Sequence, residues 1–471
     1  MLVMLGMAVG TGNIWRFPRV AATNGGGTFL VTWVVFLLLW SVPLILVEFA
    51  LGKKTRRGPV GAFAALAGSR FAWMGAWVAF TATAIMFYYS VVMGWTIRYL
   101  WGSIFGSVPM TSQEAAIGFW ESYAGSGTAV LTHAIAMGLG VAVVSRGVRG
   151  IERAARFLMP SLFVLVIVLA IRAVTLPGAS AGLAFLFTPQ WGDLLNVEVW
   201  LAALTQNAWD TGAGWGLITA YAVYLRQRED TALNSFLLGF GNNSVSLLAG
   251  IMVLCTVFAI MPNAADQIVG AGNEGLTFIW LPQLFGRMPG GTVFMIFFFG
   301  ALVVAAWSSL IAMIELASRV LIDRGIERSR AITIVGLAGF TLGLPSALSM
   351  EFFRNQDWVW GVGLMLSGFF FAITVLRYGA DAFRRGFITS EGNDIVIGRW
   401  WNVVIGLVAI EAVVLMVWWL YQAVDPADLA ATFTPFSSFN VGTVLVQWGI
   451  ALAVFLALNK WLARSPAEVT E

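Results

Sequence analysis

The chain has 471 residues, of which 59% are hydrophobic and 11% charged, and its mean hydropathy is +0.83. That composition is a polytopic helical membrane protein and excludes a soluble domain or a nucleic-acid binder. The formal net charge of +3 says little, but a single cysteine, Cys255, excludes an internal disulfide and a thiolate metal cage, and a single histidine, His133, nearly excludes His-based zinc sites and acid–base catalysis.

Apolar stretches recur at 1–22, 28–50, 72–101, 129–145, 154–174, 199–226, 235–262, 291–321, 330–349, 358–377, 400–423 and 440–463, which predicts an all-α protein with twelve transmembrane helices. A span needs about 20 such residues. The first is poor in helix formers. Gly6, Gly10 and Gly12 each weaken a helix by roughly 1 kcal/mol against Ala. Pro18 removes a donor, and Asn13 and Arg16 are polar groups at membrane depth. Unwound backbone in lipid must line a cavity or be covered by protein. A broken helix carrying Asn and Arg therefore predicts a site. A glycine-rich helix–helix contact is the alternative, which the glycines alone would favour. The chain starts only five residues before Gly6, so the first span reads as cut short by a mis-assigned start or a truncated gene model, with no cleavable signal peptide.

Lys and Arg cluster in alternate connections. They stand at Lys53, Lys54, Arg56 and Arg57; at Arg146, Arg149, Arg153 and Arg156; at Arg226 and Arg228; at Arg324, Arg328 and Arg330; at Arg377, Arg384 and Arg385; and at Lys460 and Arg464. The other connections carry Glu114, Glu121, Asp193, Asp266, Asp425 and Asp428. The positive-inside rule then places both termini in the cytoplasm, in a plasma (inner) membrane. His133 is read as a loop or interfacial residue. The connection 263–290 is long and partly apolar, with Leu276, Phe278, Ile279, Trp280 and Leu281. It is either an external lid dipping toward the site or an interfacial helix on the headgroups. The tail after Leu462 is short and polar.

A second break lies at Asp210-Thr211-Gly212-Ala213-Gly214-Trp215-Gly216, inside the sixth span. Interrupted first and sixth spans, at corresponding places in two five-helix units, point to an inverted-repeat transporter broken at mid-membrane. The first repeat covers about 1–174 and the second about 199–377; helices in 400–463 fall outside them, within one polytopic domain over 1–471.

Several motifs now stand together. They are Gly12-Asn13-Ile14-Trp15-Arg16-Phe17-Pro18, Asn24-Gly25-Gly26-Gly27, Pro43 to Gly52 with Glu48, Tyr88-Tyr89, Arg149-Gly150-Ile151-Glu152-Arg153, the Gly212–Gly216 break, Ser308-Ser309 and Gly343-Leu344-Pro345-Ser346-Ala347. Over nearly the whole chain they resemble the neurotransmitter:sodium symporter family, in its prokaryotic amino-acid transporter branch.

The resemblance implies a site, and elementary chemistry supports it. Half-helix N-termini carry partial positive charge and free N–H groups, so the amides of Thr11 and Gly12 suit a carboxylate. The resemblance adds Tyr89, which on its own reads equally as a packed aromatic with its hydroxyl paired. It assigns the carbonyls of Ala8, Trp209 and Asp210 to an ammonium group. Gly10 stands where monoamine carriers hold an acid, which argues for an α-amino acid that brings its own carboxylate. A side-chain pocket of Ile85, Trp209, Gly212, Trp215, Ser309 and Met313 favours a neutral, hydrophobic substrate.

Sodium wants oxygen ligands, which unwound carbonyls and Asn, Ser or Thr side chains provide. The resemblance implies two Na+ sites and no organic cofactor. The first uses the Ala8 carbonyl, Asn13, Asp210 and Asn242, completed by the substrate carboxylate. The second uses the carbonyls of Gly6, Val9 and Ala305 with the hydroxyls of Ser308 and Ser309, a pair that on its own reads as helix packing. Many relatives have Ser or Thr at the position of Asp210, where chloride-dependent ones hold the anion. With Trp33 and Ser246 flanking and Gln206 one turn before, Asp210 is expected to supply a fixed negative charge and make transport chloride-independent.

Arg16 with Asp357 is the implied outer gate, above Tyr89 and Trp209. Asp323 and Tyr224 match the inner gate, whose usual arginine and tryptophan ahead of the first span are missing. Glu48 is expected to cap loose amides at the sixth-span break. The expected function is a sodium-coupled amino-acid symporter working by alternating access, whose partners are a small-molecule amino acid and the lipid bilayer, with a homodimer left open. The rivals are the same fold with another solute or proton coupling, and a non-transporting sensor or defective carrier. An intramembrane enzyme lacks a nucleophile–base pair. Lysine occurs only at Lys53, Lys54 and Lys460, outside the spans, which disfavours the proton-coupled version.

Overall fold

In hydrocarbon each backbone N–H and C=O must pair within its own segment, so apolar sequence rich in β-branched and aromatic residues still coils. The computed structural model describes residues 2–389, 394–435 and 437–464, and its regular elements are all helices. Ten of them are long and apolar enough to cross a membrane: Gly27–Thr55, Ser69–Ile104, Gly127–Val144, Gly147–Val174, Thr231–Ile260, Gly291–Ile322, Arg328–Leu348, Met350–Tyr378, Trp400–Gln422 and Val441–Ala463. Two further apolar segments are interrupted. One runs Leu2–Ala8, a π-turn Gly12–Arg16, then Phe17–Thr23; the other runs Val197–Asp210, then Leu217–Ala222.

Most helix ends fall within a few residues of expectation, with two corrections. The span read as 358–377 begins at Met350, because the Ser349 hydroxyl accepts the Phe352 N–H and caps a polar first turn that hydropathy misses. The span read as 154–174 begins at Gly147, since its arginine-bearing turns stay helical in water, where Arg156 pairs with Glu152 at 3.8 Å.

The first interrupted segment packs among Gly147–Val174, Thr231–Ile260 and Gly291–Ile322. The second lies against Gly27–Thr55 and Gly291–Ile322. Ala72–Ile104 closes against Gly291–Ile322, the most extensive helix–helix contact among the described residues. The two interruptions are thus held inside the bundle.

His133 is a further correction. It is neither in a loop nor at an interface with water: it is fully buried in Gly127–Val144, where its Nε2 lies 3.0 Å from the Phe340 carbonyl oxygen. One hydrogen bond across a helix pair was enough to bring an imidazole inside. The 263–290 connection folds as short helical pieces and goes inward. Leu276, Phe278 and Leu284 are fully buried, and Phe278 stacks on Trp120 with ring centroids 4.9 Å apart. That geometry matches the inward lid and not a helix lying on headgroups. From residue 465 on, the polar tail lies outside the described residues.

Candidate functional site

The first break begins where the helical ladder runs out. Val9 N–H still reaches the Leu5 carbonyl at 2.8 Å. The next donors find side chains instead: Gly10 N–H donates to Asn13 Oδ1 at 2.8 Å, and Thr11 N–H to the Tyr89 hydroxyl at 3.1 Å. The Thr11 hydroxyl also donates to Tyr89, at 3.2 Å. Asn13 is fixed from its other end, its Nδ2 donating to Asn242 Oδ1 at 3.1 Å and Ser246 Oγ at 2.7 Å. Side chains from two distant helices therefore hold the backbone open.

The second break is built from glycines and one acid. Gly212, Gly214 and Gly216 take φ of +68°, +84° and +79°, the left-handed region that L side chains avoid. Glu48, wholly buried, answers the loose donors as expected. Its Oε1 accepts Gly214 N–H at 2.8 Å and Gly216 N–H at 3.2 Å, and its Oε2 accepts Thr219 N–H at 3.0 Å and the Thr219 hydroxyl at 3.1 Å. A carboxylate at the start of the Leu217–Ala222 half-helix also meets the positive end of its dipole.

Between the breaks lies a cavity of about 90 Å³, room for several water-sized molecules. Every residue expected to touch a substrate lines it: Ala8, Thr11, Gly12, Ile85, Tyr89, Trp209, Asp210, Gly212, Trp215, Ser309 and Met313. Sequence reasoning missed Val92, Leu217 and Phe353, which add apolar wall, and Asn273 and Glu274. The last two come from the 263–290 connection, where Asn273 Oδ1 accepts Arg19 Nε–H at 2.6 Å. Polar Asn273-Glu274 just before the apolar run was the available signal.

Two glycines shape this space by lacking a side chain. A Cβ on Gly10 would come 2.9 Å from Ser309 Oγ and 3.0 Å from the Tyr89 hydroxyl. A Cβ on Gly12 would overlap Asp210 Oδ1, so only glycine lets that carboxylate reach the first break. The other oxygen, Oδ2, accepts from Gln206 Nε2. Asp210 is thus buried against both interruptions.

The oxygen sets expected for cations are partly assembled. Ser308 Oγ lies 3.4 Å and Ser309 Oγ 3.3 Å from the Val9 carbonyl oxygen. Ser308 Oγ also donates to Ala305 O at 2.9 Å, and Ser309 Oγ lies 3.5 Å from Met7 O, which sequence reasoning missed. Gly6 and Ser308 line one small void of about 10 Å³. These are hard, neutral oxygens, the donor set an alkali cation takes. In the other set, Ala8, Asn13 and Asp210 face the main cavity, while Asn242 stands behind Asn13 and joins it by the hydrogen bond above.

The expected gates look different. Arg16 and Asp357 both line the cavity but make no ion pair within 4.0 Å. The guanidinium of Arg16 stacks over Trp209, 4.6 Å from the ring centroid. On the other side, Asp323 pairs with Arg319 of its own helix at 2.7 Å and accepts Gly58 N–H at 2.7 Å. Burial raises the Asp323 carboxyl above its ordinary range, against the pull of Arg319. Tyr224 donates to Glu315 at 2.8 Å, and Glu315 is clasped by Arg328 at 2.6 Å. The tyrosine and aspartate are linked through Arg319, which donates to the Tyr224 hydroxyl at 3.4 Å.

Comparison with known proteins fits this geometry. The profile of the Sodium:neurotransmitter symporter family matches residues 1–123 and 122–464. An uncharacterized sodium-dependent transporter of Methanocaldococcus jannaschii is 30% identical over 429 residues, covering 87% of this chain and 86% of that protein. The uncharacterized sodium-dependent transporter YhdH of Bacillus subtilis is 34% identical over 352 residues, covering 73% and 76%. Among solved structures, MhsT in complex with L-phenylalanine superposes with a TM-score of 0.77 at 31% identity, covering 88% of this chain and 97% of MhsT. The chain is therefore a multi-pass membrane protein that belongs to the sodium:neurotransmitter symporter family, on its prokaryotic branch.

Proposed function

We propose that this chain is a sodium-coupled symporter of neutral, hydrophobic α-amino acids that works by alternating access and needs no chloride. The observation that carries the reading is the pairing of the Thr11 amide with the Tyr89 hydroxyl, inside a cavity between two interrupted helices. The Thr11 N–H now donates to Tyr89, and a carboxylate entering the cavity would take that N–H together with the Tyr89 O–H. The carbonyls of Ala8, Trp209 and Asp210 take the ammonium end. Ile85, Met313, Trp209 and Trp215 take an apolar side chain, and the likeness to a protein solved with L-phenylalanine supports that choice.

Two sodium ions complete the cycle. One sits on Ala8, Asn13, Asp210 and Asn242 with the substrate carboxylate, which couples ion to substrate by a shared ligand. The other sits on Gly6, Val9, Ala305, Ser308 and Ser309. Asp210 carries the negative charge that chloride supplies in other carriers; Gly12 admits it, and Gln206 orients it. The two interrupted segments are spans one and six of twelve, in a five-plus-five inverted repeat, with both termini in the cytoplasm. Arg16 and Asp357 close the outer side, and Asp323 with Tyr224 the inner.

Uptake of labelled amino acids into proteoliposomes tests the proposal. Accumulation of phenylalanine or leucine is expected with sodium outside and not with potassium, and equally with chloride or gluconate. Equal uptake in sodium and potassium, with a pH gradient driving it, would replace sodium by proton coupling.

A further inference from the structure

The helix Gly291–Ile322 ends on an arginine and an acid one turn apart. Arg319 Nε pairs with Asp323 Oδ1 at 2.7 Å, and both side chains are largely shielded from solvent. An ion pair within one helix joins nothing else by itself. A guanidinium, though, is a rigid fork with several N–H donors, so one held by its own acid still presents others. Arg319 Nη1 donates to the Tyr224 hydroxyl and Nη2 to the Arg56 carbonyl, each at 3.4 Å. Its central carbon lies 5.7 Å from the centre of the Tyr224 ring. The second oxygen of the acid, Asp323 Oδ2, accepts Gly58 N–H at 2.7 Å.

The segments that Arg319 reaches are already tied to each other. Arg56 ends the helix Gly27–Thr55 with a φ of +58°, the one positive φ outside glycine among the described residues. From that turn its Nη1 donates to the carbonyls on either side of Tyr224, those of Val223, at 2.6 Å, and of Leu225. One turn earlier, a Cβ on Gly52 would overlap the Thr219 carbonyl oxygen, so the two backbones touch. Lys53 Nζ donates to the Glu229 carbonyl at 2.9 Å, and Gln227 Nε2 to the Lys53 carbonyl at 3.1 Å. With Glu48 on the Gly214, Gly216 and Thr219 amides, residues 48–56 and 214–229 are knitted along their length. Fewer polar contacts cross from this pair to the helix Gly291–Ile322 and its Asp323 cap. They are Tyr224 to Glu315, Gly58 to Asp323, and the two long contacts of Arg319. Contacts near the outer limit of hydrogen bonding part at small cost.

We propose that Arg319 is a positioning residue of the inner closure: held in pose by Asp323, its fork clasps the Arg56 turn and Tyr224 to the helix Gly291–Ile322, and the clasp parts when that side opens. The proposal rests on the reading of Asp323 and Tyr224 as the inner gate, and it makes Arg319 the link between them.

Hydrogen–deuterium exchange of the purified full chain in sodium reads the clasp without transport. Arg319→Gln is expected to speed exchange about fivefold over residues 52–61 and 217–226, the change that ~1 kcal/mol makes. Residues 350–361, which bear Asp357, should keep wild-type rates. Arg319→Lys keeps a charge for Asp323 but loses the fork, so it should speed the same segments by a smaller factor. Arg330→Gln, exposed and outside the clasp, should match wild type. In uptake, an inner side that opens more readily leaves fewer chains facing outward, so Arg319→Gln should raise the external KM by about the same factor. A residue that only supports the fold would lower the maximal rate at an unchanged KM. Wild-type exchange in a folded Arg319→Gln would overturn the proposal, and so would faster exchange spread over the whole chain with a lower unfolding temperature. Faster local exchange with an unchanged KM would overturn it too, since the clasp would then be no part of the closure. Where Arg319→Gln fails to fold, wild-type exchange in Arg319→Lys decides against it. Absence of sodium-driven uptake in wild type would sink the symporter reading instead, while the exchange rates still report whether Arg319 joins these segments.

Discussion

The guanidinium of Arg16 lies over the indole of Trp209, its central carbon 4.6 Å from the ring centroid, and not against the carboxylate of Asp357. Both charges line the central cavity, and Arg16, Trp209, Asn273 and Asp357 also line a larger hollow of about 350 Å³ beside it. Arg16 and Trp209 thus form part of a partition between two spaces. A cation over a ring gains about 0.5–2 kcal/mol, enough to hold a pose yet small enough to exchange for an ion pair. Arg16→Lys keeps the charge and loses the guanidinium contact with the ring, so uptake should fall roughly two- to thirtyfold. Arg16→Ala should fall further. Wild-type uptake by Arg16→Ala, at equal protein in the membrane, would make Arg16 a static packing element.

Tyr89 offers a sharper test of the proposed carboxylate subsite. Its oxygen accepts from the Thr11 amide and hydroxyl, and its own O–H is the donor that a carboxylate in the cavity would take. Hydrogen bonds to charged groups contribute about 1.5–3 kcal/mol, so Tyr89→Phe should raise the substrate KM roughly ten- to a hundredfold. Circular dichroism and expression should match wild type. An unchanged KM would return Tyr89 to a packing role.

Much of this was legible before any coordinates, for reasons that differ by residue. The two breaks stood out because glycine, proline and polar residues inside apolar sequence violate what a bilayer demands of backbone. Alternating arginine clusters marked the connections for the same reason. What sequence could not give was who answers whom. Asn13 is bonded to Ser246 as well as to Asn242, and Arg16 faces a ring instead of an acid; such choices depend on side-chain geometry across segments more than 190 residues apart. His133 misled because a lone histidine reads as polar, yet one carbonyl acceptor is enough to bury it. Helix starts at Gly147 and Met350 were hidden by charge, since hydropathy reports the hydrocarbon slab and not the helix that continues beyond it.

The Ser308-Ser309 pair makes a separate prediction about sodium. Both hydroxyls converge on the Val9 carbonyl, in line with a cation clasped between the first break and the Gly291–Ile322 helix. Losing one neutral oxygen ligand costs about 1 kcal/mol, so Ser309→Ala should raise the half-saturating sodium concentration about fivefold. Maximal uptake at saturating sodium should change less. Thr333→Ala, whose hydroxyl bonds only its own helix at the surface, serves as the control. An unshifted sodium curve for both Ser308→Ala and Ser309→Ala would reduce the pair to helix packing.

Glu48 should matter for stability before it matters for transport. It satisfies three backbone N–H groups and one hydroxyl from a wholly buried position. Glu48→Gln keeps one acceptor but turns an amide donor toward other donors, a loss of roughly 3 kcal/mol. Thermal unfolding of the purified protein should drop by several degrees, with a larger aggregated fraction on size exclusion. A variant as stable as wild type would mean the break between Asp210 and Leu217 holds its shape without that carboxylate.

Asp210 carries the prediction about chloride. Its carboxylate is buried, takes the Gln206 amide on one oxygen and meets Gly12 with the other. A buried anion persists only beside cations or donors, and a sodium ion on Ala8, Asn13 and Asn242 would stand beside it. Shortening the side chain to a neutral hydroxyl removes the charge and opens a space that a mobile anion could fill. Asp210→Ser should therefore lose most uptake in gluconate and regain it as chloride is added, while wild type transports equally in both. Asp210→Asn, which removes the charge but keeps the volume, should stay inactive in either salt. Wild-type uptake that requires chloride would overturn the assignment outright. An Asp210→Ser protein that chloride fails to rescue, although it folds, would confine Asp210 to the first sodium site and leave its charge unrelated to anions.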